Sequence, residues 1–209
     1  AKEVSVSFDS DFSSGHLIMM ATDLDKATVL RPVFFNKAKE TKILISTADE
    51  LVAFAQNVNA QDGTENMDIY LEKDIDISSI KDWTPIGNGT FSGTAVSGAA
   101  FKGTFHGQNH TIKGMNITVP ADAAKGASYG LFGVLDGATV KDLDIGEGSS
   151  ITSSAKLLTC GGAIAGSVVN STVDHCTSSA SFDISGGTDN ISQRFGGIAG
   201  SVYSSGEVI

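Results

Sequence analysis

A short phrase returns twice in the second half of this chain: Gly130-Leu131-Phe132-Gly133, then Ala163-Ile164-Ala165-Gly166, then Gly197-Ile198-Ala199-Gly200. Counted between the last glycines (133, 166, 200), the spacings are 33 and 34 residues. A period of this size marks stacked supersecondary units rather than a single globular core. Such a scaffold sequence dictates how coils stack and says little about what their outer surface touches.

A second half of the repeat begins six residues beyond each marker glycine, where Thr139-Val140-Lys141-Asp142-Leu143-Asp144-Ile145 lines up with Thr172-Val173-Asp174-His175-Cys176-Thr177-Ser178. An earlier segment, Thr111-Ile112-Lys113-Gly114-Met115-Asn116-Ile117, reads as a third copy. On that alignment Ile112, Val140 and Val173 share one inward slot, and Met115, Leu143 and Cys176 share another. In the first half Leu131, Ile164 and Ile198 stack, as do Leu135, Val168 and Val202, while the alternation turns Ser167 and Ser201 outward. Equivalent strands one period apart would lie about 4.8 Å from one another, with about three strands per turn and the usual right-handed crossover. The expected fold is all-β: a right-handed parallel β-helix.

Glycine placement agrees, because 22 of the 24 glycines fall in residues 87–209, where bends need positive φ or close backbone approach. The glycine-poor part before it has another task. Thr47-Ala48-Asp49-Glu50 is a capping box opening a helix that runs to Val58, with Leu51, Phe54, Ala55 and Val58 on one face. This helix would cap the first coil, whose strand edges and apolar interior need cover. Met67 to Ile77 then supplies a strand, with Ile75 and Ile77 inward and Asp74 and Asp76 outward. Three β-like runs precede the helix, Val4–Phe8, Leu17–Ala21 and Val29–Phe35, as a cap extension or a small β module. The expected organisation is therefore 1–42 as the N-terminal β region, 43–86 as capping helix and first coil, and 87–209 as β-helix coils.

Residues 43–209 resemble the GLUG-repeat proteins. The likeness is carried by Trp83-Thr84-Pro85-Ile86-Gly87, by Phe101-Lys102-Gly103-Thr104-Phe105-His106-Gly107-Gln108-Asn109-His110-Thr111-Ile112-Lys113-Gly114-Met115, and by Gly130-Leu131-Phe132-Gly133. The resemblance implies a bacterial, secreted or surface-attached parallel β-helix, of a kind common in gut Bacteroidetes and often linked with adhesion. On it, Trp83, Pro85, Gly87, His110, Gly130, Leu131, Gly133, Ile164, Gly166, Gly197, Ile198 and Gly200 are structural repeat positions. His106 stands where the family more often has an acidic residue, so a ligand role tied to that carboxylate does not transfer.

Composition bounds the partners. Fourteen Lys+Arg against 24 Asp+Glu give a net charge of −10, which disfavours nucleic acid and anionic membrane surfaces. No apolar stretch approaches the roughly 20 residues of a membrane span, and no leader-like segment precedes Ala1, so an exported protein would already have lost its signal. The expected location is extracellular or on a bacterial surface. The last phrase opens a coil that stops at Gly206-Glu207-Val208-Ile209, which suggests a longer parent chain or an end covered by a second copy in end-to-end association.

Candidate chemistry is sparse. His106 and His110 are four apart, but Gly107 and the strand pattern place them in a turn rather than on a helix, so no metal pair is expected. Cys160 and Cys176 read as free thiols, with Cys176 filling a small apolar slot. A glycosidase needs two carboxyls about 5 to 9.5 Å apart. Asp142 and Asp144 point outward, but Asn116 and Thr177 take the Asp144 slot on neighbouring coils, so that row is no acid cluster. Only Arg31 and Arg194 are available to neutralise a uronate, and Asp9-Ser10-Asp11 lacks the glycine and glutamate of a calcium loop. Five Asn-x-Ser/Thr sequons, at Asn88, Asn109, Asn116, Asn170 and Asn190, follow from composition. The expectation is a noncatalytic adhesin- or stalk-like module without cofactor or metal. It would present a face to a host or dietary glycan or a surface protein, with Tyr129, Tyr203, Asp142 and Asp144 as candidate contacts. A polysaccharide lyase or glycoside hydrolase on the same fold is the alternative.

Overall fold

The computed structural model describes residues 15–22, 28–35, 41–60, 64–93, 95–186 and 193–209. Parallel strands from successive turns stack into four sheets, forming a parallel β-helix of about four turns, with one α-helix among the described residues. The front sheet is ordered Thr41–Ile45, Met67–Leu71, Thr104–Lys113, Thr139–Ile145, Thr172–Asp174 and Glu207–Val208. Ile75–Asp76 and Thr177–Ser178 pair beside that path. The side sheet holds Asn116–Val119, Ser150–Ser153 and Ser181–Ile184. The outer sheet holds Ala127–Tyr129, Thr159–Gly162 and Arg194–Gly196, and the inner sheet Phe132–Asp136, Ala165–Val169 and Ala199–Tyr203. A turn thus visits four strands where three were expected.

The fourth strand explains the repeated phrase. The outer sheet folds back over the inner one, so that Ser128 Oγ meets Ser167 Oγ at 2.9 Å and Cys160 Sγ meets Ser201 Oγ at 3.0 Å. Ser167 and Ser201, outward on simple alternation, are consequently buried. Contact this close tolerates no side chain at the last glycine of the phrase. A Cβ would lie 2.5 Å from Gly87 O at Gly133, 2.4 Å from Tyr129 N at Gly166 and 2.5 Å from Gly161 N at Gly200. The apolar second residue of each phrase faces the other way: Leu131 and Ile164 are fully buried in the core, and Ile198 packs against it. At the first position the requirement varies, since a Cβ on Gly130 would lie 2.3 Å from Gly162 O while Gly197 has nothing within 4 Å.

The pairing of Thr139–Ile145 with Thr172–Asp174 and Thr177–Ser178 follows the expected alignment. The earlier copy does not. Val140 pairs with Phe105, and Ile112 pairs with Ile145, so the true equivalent of Thr139–Ile145 starts at Thr104. The slip arose because Phe105 and Ile112 are both buried, inward positions of one long strand. Met115 belongs to the turn after that strand, where its N–H is bonded by Ser149 Oγ at 3.1 Å. The strand bends between its halves. Asn109, Asp142 and His175, spaced by 33 residues, have φ of 61°, 54° and 48°. These residue types tolerate the left-handed region best after glycine. His106 and His110 lie on the strand Thr104–Lys113 on either side of this bend, not in a turn.

The helix Ala48–Ala60 buries the four expected residues, Leu51, Phe54, Ala55 and Val58. Its capping box is formed: Thr47 N–H donates to Glu50 Oε2 at 3.1 Å, and Glu50 N–H to Thr47 Oγ1 at 3.2 Å. Phe54 reaches into the first turns, with ring centroids 5.8 Å from Phe101 and 6.4 Å from Phe105. Beyond the helix, the expected strand from Met67 to Ile77 divides into Met67–Leu71 and Ile75–Asp76; Ile75 and Ile77 are buried and Asp74 and Asp76 exposed. Gly15–Thr22 and Thr28–Phe35 form an antiparallel two-stranded sheet of their own, while Val4–Phe8 lies outside the described residues.

Candidate binding face

The front sheet spans every turn, and strand alternation sends every second side chain outward. Before the bend, one outward row runs Lys42, Asp68, Thr104, Thr139, Thr172, Glu207, and the next runs Tyr70, His106, Lys141, Asp174. Beyond the bend, Thr111, Asp144 and Thr177 continue in register. Asp74 abuts the start of that row, its Oδ1 accepting the Thr111 N–H at 2.9 Å.

At the N-terminal part of this face Asp68 gathers two donors. Tyr70 Oη donates to Asp68 Oδ2 at 2.9 Å, and His106 Nε2 lies 2.6 Å from Asp68 Oδ1. The Tyr70 and His106 rings are stacked, centroids 4.1 Å apart and 3° from parallel, with Lys42 Nζ 5.4 Å from the Tyr70 centroid. Three further pairs cross the same seam between turns: Lys102 with Glu65 at 3.2 Å, His110 with Asp74 at 3.2 Å, and Lys113 with Asp76 at 3.4 Å. Glu65 is held below the usual carboxylate range by its own backbone N–H and by Lys102. Asp74 is lowered by the Thr111 N–H and then His110, and Asp76 by the Ser78 hydroxyl and N–H and then Lys113. Exposed pairs of this kind contribute little individually. All of them, with Asp68 and His106, join the first turn to the second.

Asp144 sits between two turns, its Oδ2 accepting from Thr111 Oγ1 at 3.3 Å and its Oδ1 from Thr177 Oγ1 at 2.7 Å. Thr111, not Asn116, is thus its neighbour on the preceding turn. Asp142 occupies the left-handed bend, away from the Asp144 row. Tyr129 and Tyr203 are on the outer and inner sheets, remote from the front face. Tyr129 is half-buried, its phenol pushed upward by burial and then by Asp82 and Asp122. The Tyr203 ring is 4.5 Å from that of Phe91 and 5.6 Å from the Arg194 guanidinium. The four candidate contacts therefore do not converge.

Trp83 is buried with Nε1 donating to Leu131 O at 3.1 Å, and Pro85 and Gly87 are buried beside it. Their turn is gripped by Asn59 from the end of the helix: Nδ2 donates to Pro85 O at 2.9 Å, and Oδ1 accepts from Gly87 N at 2.8 Å and Asn88 N at 3.0 Å. Cys160, on the outer sheet, and Cys176, between the strands Thr172–Asp174 and Thr177–Ser178, are free thiols, and burial pushes the Cys176 thiol up to about 11. Among the described residues no three His, Cys, Asp or Glu side chains gather to hold a metal, and no helix is long and apolar enough to cross a membrane.

Sequence reasoning missed Asp68, Tyr70 and Lys42. A signal existed: the acid–base partners Glu65 and Lys102, Asp68 and His106, and Asp74 and His110 are 37, 38 and 36 residues apart, close to the repeat period. No family model, no curated protein and no solved structure matches this chain.

Proposed function

We propose that this chain is a noncatalytic module, exported or attached to a cell surface, that binds carbohydrate or protein along its front sheet. The observation that carries this reading is the pair of polar rows running from Lys42 to Glu207 and from Tyr70 to Asp174 in register across the turns. They offer hydroxyl, carboxylate, imidazole and ammonium groups at a spacing of about 4.8 Å, which suits an extended polymer lying along the solenoid axis. The likeness to GLUG-repeat proteins supports the extracellular placement. The noncatalytic reading is supported by Asp144, whose two carboxylate oxygens are both engaged by threonine hydroxyls that support the stacking.

The test is retention of intact ligands from a panel of mucin, plant and microbial polysaccharides and surface proteins, with recovered glycans sized afterwards. Substituting the front row (Thr139→Val with Lys141→Ala) is expected to abolish retention, and Thr152→Val on the side sheet to leave it unchanged. Shortened or unsaturated glycans would overturn the noncatalytic reading. Retention indifferent to the front row, or no retention of any ligand, would overturn the binding face.

A further inference from the structure

The core is not uniform along the solenoid. Read in register through the first four turns, the front sheet stacks Ile69, Phe105, Val140 and Val173 in one inward slot and Ile75, Ile112, Ile145 and Ser178 in another. The inner sheet stacks Ile86, Phe132, Ala165 and Ala199, and beside them Phe101, Leu135 and Val168; Val202 continues that second row in register but is exposed on the last turn, not buried as expected. Among the described residues the side sheet runs the other way, from Ile117 through Ile151 to Phe182, and Leu131, Ile164 and Ile198 hold their size. The large side chains are concentrated in the first two turns. There Phe54, Phe101, Phe105 and Phe132 form one connected ring cluster with centroid distances between 5.3 and 6.4 Å. The four acid–base pairs described above join the same two turns.

In three of these slots the step to smaller side chains falls between the second and third turns, from Phe105 to Val140, Phe132 to Ala165 and Leu135 to Val168, while Ile112 is followed by Ile145. The third turn lies between two neighbouring turns and still carries Val140, Ala165 and Val168, so the step is distinct from fraying at an end. In a solenoid each unit is held by its own contacts and those to its neighbours, so a drop in buried apolar area at one interface places the weakest link there.

We infer that the protein is a two-stage device: a firmly held base, residues 41–136 with the helix, and a distal portion from residue 139 onward that opens as a unit while the base stays folded. The inference rests on the core alone and is independent of the binding face.

Native-state hydrogen exchange read by mass spectrometry on the whole chain tests it. Protection in Thr104–Lys113 is expected to exceed that in Ala165–Val169 by roughly a hundredfold or more, with Thr139–Ile145 and Ala165–Val169 exchanging together. Equal protection throughout, or a smooth decline with no step between 136 and 139, would overturn the inference. A second measurement uses Phe101→Leu with Phe105→Val, residues that later turns already carry at these slots. It is expected to bring protection of Thr104–Lys113 down to that of Thr139–Ile145, and unchanged protection there would also overturn the inference.

Discussion

Adding one methyl group at Gly166 tests whether the repeated phrase exists to let two sheets touch. The new Cβ would stand 2.4 Å from Tyr129 N and 2.8 Å from both Ser128 C and Ser128 Cα, all backbone atoms. Ordinary contact needs about 3.5 Å, so the sheets must part locally by about 1 Å. That displacement stretches the 2.9 Å bond between Ser128 and Ser167 and leaves the buried Ser167 hydroxyl without this partner, while Ser128 Oγ keeps Gly126 O at 3.3 Å. The unpaired hydroxyl costs about 1–3 kcal/mol and the overpacking about 1–3 kcal/mol more, while restricting the unfolded chain returns about 0.5 kcal/mol. Gly166→Ala is therefore expected to destabilise the protein by about 3 kcal/mol. Gly197→Ala is the matched control, since nothing lies within 4 Å of its Cβ and its φ is outside the left-handed region. The control is expected to be neutral or stabilising by up to about 1 kcal/mol. Urea unfolding followed by far-UV circular dichroism reads both, and the Gly166 variant should lose about 1 M or more in midpoint. Coincident midpoints for the two variants would refute the close-contact argument.

Three other outcomes follow from the same geometry. Asn59→Ala removes three hydrogen bonds to the Pro85–Asn88 turn and should cost about 2–3 kcal/mol, seen as a lower midpoint in Trp83 fluorescence; an unchanged midpoint would mean the turn holds itself. Glu65, Asp74 and Asp76 have folded pKa values below their unfolded ones, so their stabilising contribution is present above about pH 4 and is lost as pH falls through the lowered values. The thermal midpoint should drop between pH 5 and 3, less steeply when Asp74 and Asp76 are both changed to Asn, and identical slopes would remove these groups from the account. With its thiol raised to about 11, Cys176 should react with iodoacetamide at pH 8 about a hundredfold more slowly in the native chain than in urea, and comparable rates would contradict its burial.

The architecture was legible because burial is written in periodic side chains. Leu131 and Ile164, or Leu135 and Val168, must be apolar at each turn, and the helix shows its buried face as Leu51, Phe54, Ala55 and Val58. The reading failed where apolar alternation was present but ambiguous in phase. Thr104–Lys113 is one ten-residue strand with two inward stretches, and only pairing with Thr139–Ile145 shows that Phe105, not Ile112, matches Val140. It failed again at Ser167 and Ser201, because serine is compatible with solvent or with a tight polar contact. Nothing in the residue itself reveals that a second sheet lies over it at 2.9–3.0 Å.

The outer face is harder to read for a related reason. Glycines that permit close packing and threonines that ladder between turns satisfy the scaffold whatever the surface binds. Asp144 illustrates this: as an outward carboxylate it is a reasonable contact residue in sequence, yet its geometry serves the stacking of Thr111 and Thr177. The informative outward residues are those that depart from the repeat. Tyr70 and His106 occupy a row in which Lys141 and Asp174 follow, so no two turns present the same group there. A scaffold needs no such variety, whereas a surface that contacts a particular partner does. Exchanging His106 for Lys, to match Lys141 on the next turn, therefore separates the two demands. Tyr70 would keep a stacked alkyl chain and Asp68 a cation, so stability should change by less than about 1 kcal/mol. Ligand retention should fall sharply. A variant that loses stability and retains ligand would place His106 in the scaffold and move the binding surface elsewhere.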